Sequence, residues 1–151
     1  MPESVLKKAG AEILDYHGTG MSVMEMSHRS AAFQEIFDST KAALRAALNV
    51  PDSHEILFLQ GGATLQFAAI PMNLMRGGAA DYAVTGNFSG KAAREAAKYG
   101  GVHIAADTSS TGHDRIPAQQ ELTESADAKY FYYCANNTIY GTEWQYVPEV
   151  H

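Results

Sequence analysis

Residues 56–71 combine an apolar run, two adjacent glycines and a helical repeat, the pattern in this chain best suited to bind a ligand. The run at residues 56–59 predicts a buried strand. Gly61 and Gly62 predict a turn that allows a ligand to approach the backbone closely. The start of a helix presents free N–H groups at the positive end of its dipole. The sequence therefore indicates an anion site here, with phosphate as the first candidate.

The turn is not a nucleotide-binding loop of either common type. No Gly-Lys-Ser/Thr follows it, and the third glycine of a dinucleotide fingerprint is missing. A plain strand-to-helix connection remains an equal alternative, because such loops are short and often rich in glycine. Either Thr64 or Gly62 is the candidate N-cap of the helix.

Two further turns also follow predicted strands. Phe88 lies between Gly86 and Gly90 after a strand at 81–85, where it could stack on a flat ring or plug the turn. Residues 135–143 follow a strand at 130–134 and offer polar groups to a ligand or to an ordinary Asx turn. Because the ends of parallel strands meet at one edge of a sheet, the three turns predict a single cleft.

A cluster of hydrogen-bond donors precedes the second predicted helix. His28 and Arg29 stand between two serines, and Ser30 can cap a helix that runs to about Leu48. The guanidinium of Arg29 suits a carboxylate or a phosphate. The alternative is a surface arginine paired with Glu25 or Glu35, beside an exposed histidine.

Helical and strand patterns alternate along the chain, which predicts an α/β fold with a mostly parallel sheet. Helices are expected from Pro2 to about Tyr16 and over 91–99 with Ser89 as N-cap, a strand over 102–106, and a long loop over 107–128.

The chain has 151 residues, 46% of them hydrophobic, and a net charge of −6 without a basic run. We therefore expect one globular domain, and no nucleic-acid or membrane partner. Cys134 is the only cysteine, so no internal disulfide can form, and a reducing, cytoplasmic location is expected. No apolar segment is long enough to span a membrane, the N-terminus lacks the basic and apolar regions of a signal peptide, and we expect no metal site.

The chain resembles the phosphoserine aminotransferases, class V (fold-type I) enzymes that use pyridoxal 5′-phosphate (PLP). The resemblance covers essentially the whole chain and is carried by three segments in this order: Ser27-His28-Arg29-Ser30, Gln60-Gly61-Gly62-Ala63-Thr64 and Asn136-Asn137-Thr138-Ile139-Tyr140-Gly141-Thr142. It implies that residues 1–151 form part of a three-layer α/β/α large domain, as a single, partial domain. Residues 1–30 would be its N-terminal helix and substrate-contact loop.

The resemblance also implies roles for four cofactor-binding residues. Ala63 and Thr64 match the positions whose backbone holds the PLP phosphate. Phe88 matches the aromatic residue that stacks on the pyridine ring, where many relatives carry Trp. Thr138 matches the residue that hydrogen-bonds the cofactor near its ring oxygen.

For the substrate, Arg29 matches the arginine that binds its carboxylate, and His28 lies near its phosphate. In relatives this pair reaches the neighbouring subunit's active site, which implies a homodimer. The Schiff-base lysine and the Asp that pairs with the pyridine nitrogen are expected beyond His151, so no catalytic residue is assigned within this chain.

The implied reaction transfers the amino group of L-glutamate to 3-phosphohydroxypyruvate, a phosphorylated 2-oxo acid, and yields O-phospho-L-serine and 2-oxoglutarate for serine biosynthesis. The chain by itself is expected to be inactive. The alternatives are another class V PLP enzyme and a non-catalytic phosphate-binding module.

Overall fold

The structure, a computed structural model, describes all 151 residues. The chain divides into two compact units, Met1–Phe58 and Leu59–His151. The expectation of a single, partial domain, with residues 1–30 as a part of it, stays a prediction. No helix in the structure has both the length and the apolar character needed to cross a membrane.

Two helices make up most of the first unit. Helix α1 spans Glu3–Leu14 and follows Pro2, whose fixed φ suits a helix start. Helix α2 spans Ala31–Leu48, and the Oγ of Ser30 accepts a hydrogen bond of 3.2 Å from the N–H of Phe33. The predicted Ser30 cap and the predicted end near Leu48 are therefore confirmed.

The strand predicted at residues 56–59 is wrong. The segment is extended but belongs to neither sheet, and Leu57 is 71% exposed and Leu59 63% exposed. Apolar periodicity identifies a segment suited to a strand, but a strand also requires a neighbour whose backbone accepts and donates its hydrogen bonds. Neither sheet provides such a neighbour for this segment.

The second unit contains a three-stranded parallel sheet with two helices. In chain order its elements are α3 (Gly62–Leu74), β1 (Ala79–Val84), α4 (Asn87–Ala96), β2 (Gly101–Asp107), β3 (Ala128–Tyr132), β4 (Asn136–Asn137) and β5 (Thr142–Glu143). The strand order is β2-β1-β3, with β1 parallel to both neighbours, and β4 and β5 form a separate antiparallel pair. The predicted α/β class with a parallel sheet is confirmed.

Small side chains let α4 lie close to the central strand. Ala92 and Ala96 of α4 are buried in the same cluster as Ala80 and Tyr82 of β1. The Tyr82 ring stacks on Tyr132 with centroids 4.9 Å apart, and its hydroxyl lies 2.7 Å from that of Tyr130. Burial raises the pKa of Tyr132 to about 12, so its hydroxyl stays neutral even in moderately alkaline solution.

A buried carboxylate ties the start of the sheet together. Asp81 on β1 is 2% exposed and accepts hydrogen bonds from the Ser125 backbone N–H at 2.8 Å and from the Ser125 hydroxyl at 2.6 Å. Its Oδ1 also lies 3.1 Å from Nδ1 of His103 on β2. This one side chain therefore connects β1, β2 and the loop before β3.

Replacing Asp81 with Ala should lower the free energy of unfolding by roughly 1–3 kcal/mol, because the partly buried donors of Ser125 and His103 lose their acceptor. Urea denaturation followed by tyrosine and tryptophan fluorescence measures the change. The matched control is Asp127→Ala, since Asp127 is exposed, and its free energy of unfolding should stay near that of the wild type. Equal stability of the two variants would contradict the assigned role.

Candidate functional site

The end of β1 is closed by hydrogen bonds to the first turn of α4. Ser89 is fully buried, and its Oγ accepts from the Thr85 N–H at 3.0 Å and donates to the Gly86 carbonyl at 3.0 Å. The predicted N-cap role of Ser89 is wrong, because α4 begins at Asn87 and Gly86 occupies the cap position. Ser89 instead fixes the strand-to-helix turn from inside the helix.

A second contact fixes the β4–β5 turn to the same strand end. Asn137 is 3% exposed, and its Nδ2 donates to Thr85 Oγ1 and to Thr142 Oγ1, both at 3.2 Å. The N–H groups of Tyr140 and Gly141 donate to the Asn137 carbonyl and close the turn. One buried amide therefore anchors the whole loop.

Gly86 lies where these two turns meet. A Cβ at this position would lie 2.8 Å from Asn137 Oδ1 and 3.3 Å from a ring carbon of Tyr140. Its φ of 171° is ordinary extended backbone, so the requirement for glycine is one of space and not of conformation. The two loops consequently pack more closely than any side chain would allow.

The start of α3 carries no side-chain cap. Gly61 occupies the cap position with φ +86°, so both predicted caps, Thr64 and Gly62, are wrong. A positive φ at this position favours glycine, and Thr64 lies within the first turn. The first intrahelical bond at this end is donated by the Leu65 N–H, so the N–H groups of the first turn, including those of Ala63 and Thr64, have no intrahelical acceptor.

Thr64 and Phe88 line the same cleft, whose volume is ≈ 390 Å³. The ring of Phe88 is 40% exposed, so the alternative that it plugs the turn does not hold. Phe67 of α3 adds a second aromatic wall. The cleft therefore joins the uncapped start of α3 to an accessible aromatic ring.

The remaining lining of the cleft is mostly cationic and comes from α4 and the turn that follows it: Lys91, Arg94 and Glu95 on the helix, and Lys98 just after it. Lys91 Nζ lies 5.4 Å from the centroid of the Phe88 ring. Lys98 pairs with Glu95 at 2.5 Å, and this hydrogen bond raises the pKa of Lys98. Three cations and one carboxylate make this cleft locally positive in a chain of net charge −6.

From the sequence alone, these lysines are expected on a charged outer face of the helix. The signal that could have identified them is the spacing of Lys91, Arg94 and Lys98, three and four residues apart, which places them on one side of a helical stretch that follows Phe88. The anchoring roles of Asn137 and Ser89 had no comparable signal.

Thr138 is exposed and does not line the cleft. Thr138 directly follows the anchored Asn137, in the turn that packs against Gly86. Gly86 itself lies two residues before Phe88. The structure therefore places Thr64 and Phe88 together and puts Thr138 on the adjoining loop.

His28 and Arg29 lie in the first unit, before α2. Both are exposed, and the Arg29 N–H donates to Ser27 Oγ at 3.3 Å. The alternative pairing with Glu25 or Glu35 is not observed; the Glu25 carboxylate accepts from the Ser22 N–H instead. Arg29 forms no salt bridge, which leaves its guanidinium available. No group of His, Cys, Asp or Glu side chains is arranged to hold a metal ion.

The family model for class-V aminotransferases matches residues 1–151. A phosphoserine aminotransferase of Nitrosomonas europaea is 50% identical over 151 residues, which are 99% of this chain and 41% of that protein. The chain thus spans about two-fifths of the length of this relative.

Solved structures of phosphoserine aminotransferases have the same fold. The enzyme from Bacillus circulans subsp. alkalophilus is 39% identical with a TM-score of 0.93, over 100% of this chain and 42% of that one. The PLP-bound enzyme from Trichomonas vaginalis is 38% identical with a TM-score of 0.87, over 99% of this chain and 43% of that one. The expected mostly parallel α/β architecture of this family is confirmed.

Replacing Gly86 with Ala should force the β4–β5 turn away from β1, because the new methyl group would overlap Asn137. We expect a loss of roughly 1–3 kcal/mol in the free energy of unfolding, as for other overpacked sites. Gly10→Ala is the matched control, since a Cβ at this position on α1 would have no neighbour within 4 Å and alanine favours helix. A Gly86→Ala variant as stable as wild type would contradict the close packing.

Proposed function

The chain belongs to the class-V aminotransferase family, and on that premise we propose that it is the N-terminal, cofactor-binding part of a phosphoserine aminotransferase. The full-length enzyme would transfer the amino group of L-glutamate to 3-phosphohydroxypyruvate, giving O-phospho-L-serine and 2-oxoglutarate. The observation that carries the proposal is that the uncapped start of α3 and the exposed ring of Phe88 share one cleft.

The residues of the cleft fit PLP. The N–H groups of Ala63 and Thr64 have no intrahelical acceptor and are suited to the phosphate, with the helix dipole behind them. The Phe88 ring offers a flat face to the pyridine ring. When bound, PLP would supply an electron-withdrawing ring that stabilises negative charge on the substrate.

In this proposal the chain's own residues bind and orient the cofactor. The start of α3 fixes the phosphate through N–H donors that exchange no proton during the reaction. Phe88 covers one face of the ring and excludes water from it. Thr138 donates its hydroxyl hydrogen near the ring oxygen, from a turn held in place by Asn137.

His28 and Arg29 would bind the substrate in the active site of a neighbouring subunit, so we propose a homodimer. The support is chemical: the unpaired guanidinium of Arg29 suits a carboxylate, and His28 beside it provides a donor for a phosphate. Two such groups together favour a phosphorylated 2-oxo acid over the smaller substrates of other class V enzymes.

We also propose a cytoplasmic location and no nucleic-acid or membrane partner. The support is the net charge of −6, the absence of a basic run, and a single cysteine.

Replacing Phe88 with Ala in the full-length enzyme should raise the Kd for PLP roughly 2- to 12-fold, because aromatic stacking contributes about 0.5–1.5 kcal/mol. Phe88→Trp should lower it, since a larger ring stacks over more area. Absorbance titration of the cofactor-free enzyme with PLP measures both. Ile104→Ala is the control, because Ile104 on β2 is 41% exposed, close to the 40% of Phe88, and lies outside the cleft. An unchanged Kd for Phe88→Ala would exclude stacking.

The reaction itself is tested by coupled detection of 2-oxoglutarate. The full-length enzyme should form it from L-glutamate only when 3-phosphohydroxypyruvate is supplied. Faster turnover with glyoxylate, or release of sulfide from cysteine, would assign the chain to another class V activity.

The 151-residue chain alone should have no transaminase activity, because the lysine that the reaction requires is expected outside it. Incubation with PLP, borohydride reduction and mass spectrometry provides the check. A stoichiometric PLP adduct at one lysine of this chain would contradict the proposal.

A further inference from the structure

His113 lies in the loop after β2 and is bound to the end of the sheet. The backbone N–H of His113 donates to the Thr108 carbonyl at 2.9 Å, and the ring Nδ1 of His113 lies 3.0 Å from Thr108 Oγ1. Thr108 is 2% exposed, and its own N–H donates to the carbonyl of Val84 at 3.1 Å. The imidazole is therefore anchored, through one buried residue, to the last residue of β1.

The His113 ring also contacts the turn that carries Thr138. It meets the ring of Tyr140 edge to face, with centroids 4.9 Å apart and an interplanar angle of 66°. Tyr140 lies in turn against Gly86, and its N–H donates to the Asn137 carbonyl. His113 thus supports the β4–β5 turn on the side of Tyr140, while Asn137 anchors it through Thr85.

The backbone of His113 is left-handed, with φ +60°. Few residues other than glycine adopt this conformation without cost, although His, Asn and Asp do so more often than most. A glycine at this position would be less strained but would provide no ring. The conformation is therefore consistent with a position at which the side chain matters.

We propose that His113 is a positioning residue for cofactor binding. Its ring holds Tyr140 against Gly86, and this contact keeps the turn of residues 137–141 in the position from which Thr138 reaches the cofactor. This inference rests on the proposed function, since it takes PLP as the molecule that Thr138 meets. His113 itself touches neither cofactor nor substrate in this role.

The test uses the full-length enzyme and the variants His113→Asn and Tyr140→Leu. Asn tolerates the left-handed backbone and keeps a polar group for Thr108, but it removes the ring. Each variant should raise the Kd for PLP by roughly one order of magnitude, because small misplacements of a binding group are costly. The thermal midpoint of the cofactor-free protein should fall by only a few degrees for His113→Asn, as expected for the loss of one aromatic contact. A purely structural role would lower the midpoint and leave the Kd for PLP at the wild-type value.

A double-mutant cycle then identifies the contact. If His113 acts through Tyr140, the Kd of the double variant for PLP should be no higher than the higher of the two single-variant Kd values. His54→Asn is the control, since His54 is exposed in the first unit, and its Kd should match the wild type.

Each outcome has a separate meaning. A wild-type Kd for His113→Asn or for Tyr140→Leu overturns this inference alone, as do additive effects in the cycle. Should His113→Asn fail to fold, its role is structural and the inference is again wrong. A wild-type enzyme that binds no PLP refutes the proposed function, and this inference with it.

Discussion

The buried hydrogen bonds at the end of β1 are the constraint on which the rest of the candidate site depends. Ser89 joins the Thr85 N–H to the Gly86 carbonyl, and Asn137 joins the side chain of Thr85 to the β4–β5 turn. Each neutral bond contributes only about 0.5–1.5 kcal/mol net, but leaving one of these buried groups unpaired costs more than that. The network therefore fixes where α4 begins, and with it the ring of Phe88.

The cleft is locally positive, whereas the whole chain is negatively charged. The net charge is −6, yet Lys91, Arg94 and Lys98 line this cleft beside the uncapped start of α3. An exposed helix dipole contributes only about 0.3–1 kcal/mol to anion binding. Affinity for a phosphorylated ligand must then come from several N–H donors acting together, from nearby cations, and from stacking on Phe88.

Local sequence patterns predicted the elements that consist of an apolar run between glycine-containing turns. The bounds of β1, β2 and β3 were predicted to within two residues, because turns bracket each apolar run. Residues 56–59 carry the same apolar signal but form no strand, because pairing depends on a partner that local sequence does not report.

Capping was predicted less well, because it depends on backbone geometry. Thr64 and Ser89 are good capping residues by type, yet Gly61 and Gly86 occupy the cap positions. The positive φ of Gly61 and the tight space at Gly86 decide this, and neither can be read from side-chain preference. The contacts of Asn137 with Thr85 and of His113 with Tyr140 likewise join residues distant in sequence.

The most direct measurement is a crystal structure of the full-length enzyme with PLP bound. We predict the PLP phosphate oxygens within about 2.7–3.2 Å of the backbone nitrogens of Ala63 or Thr64, with the pyridine ring stacked on Phe88. A phosphate bound elsewhere, with the start of α3 facing only water, would contradict the proposed cofactor site.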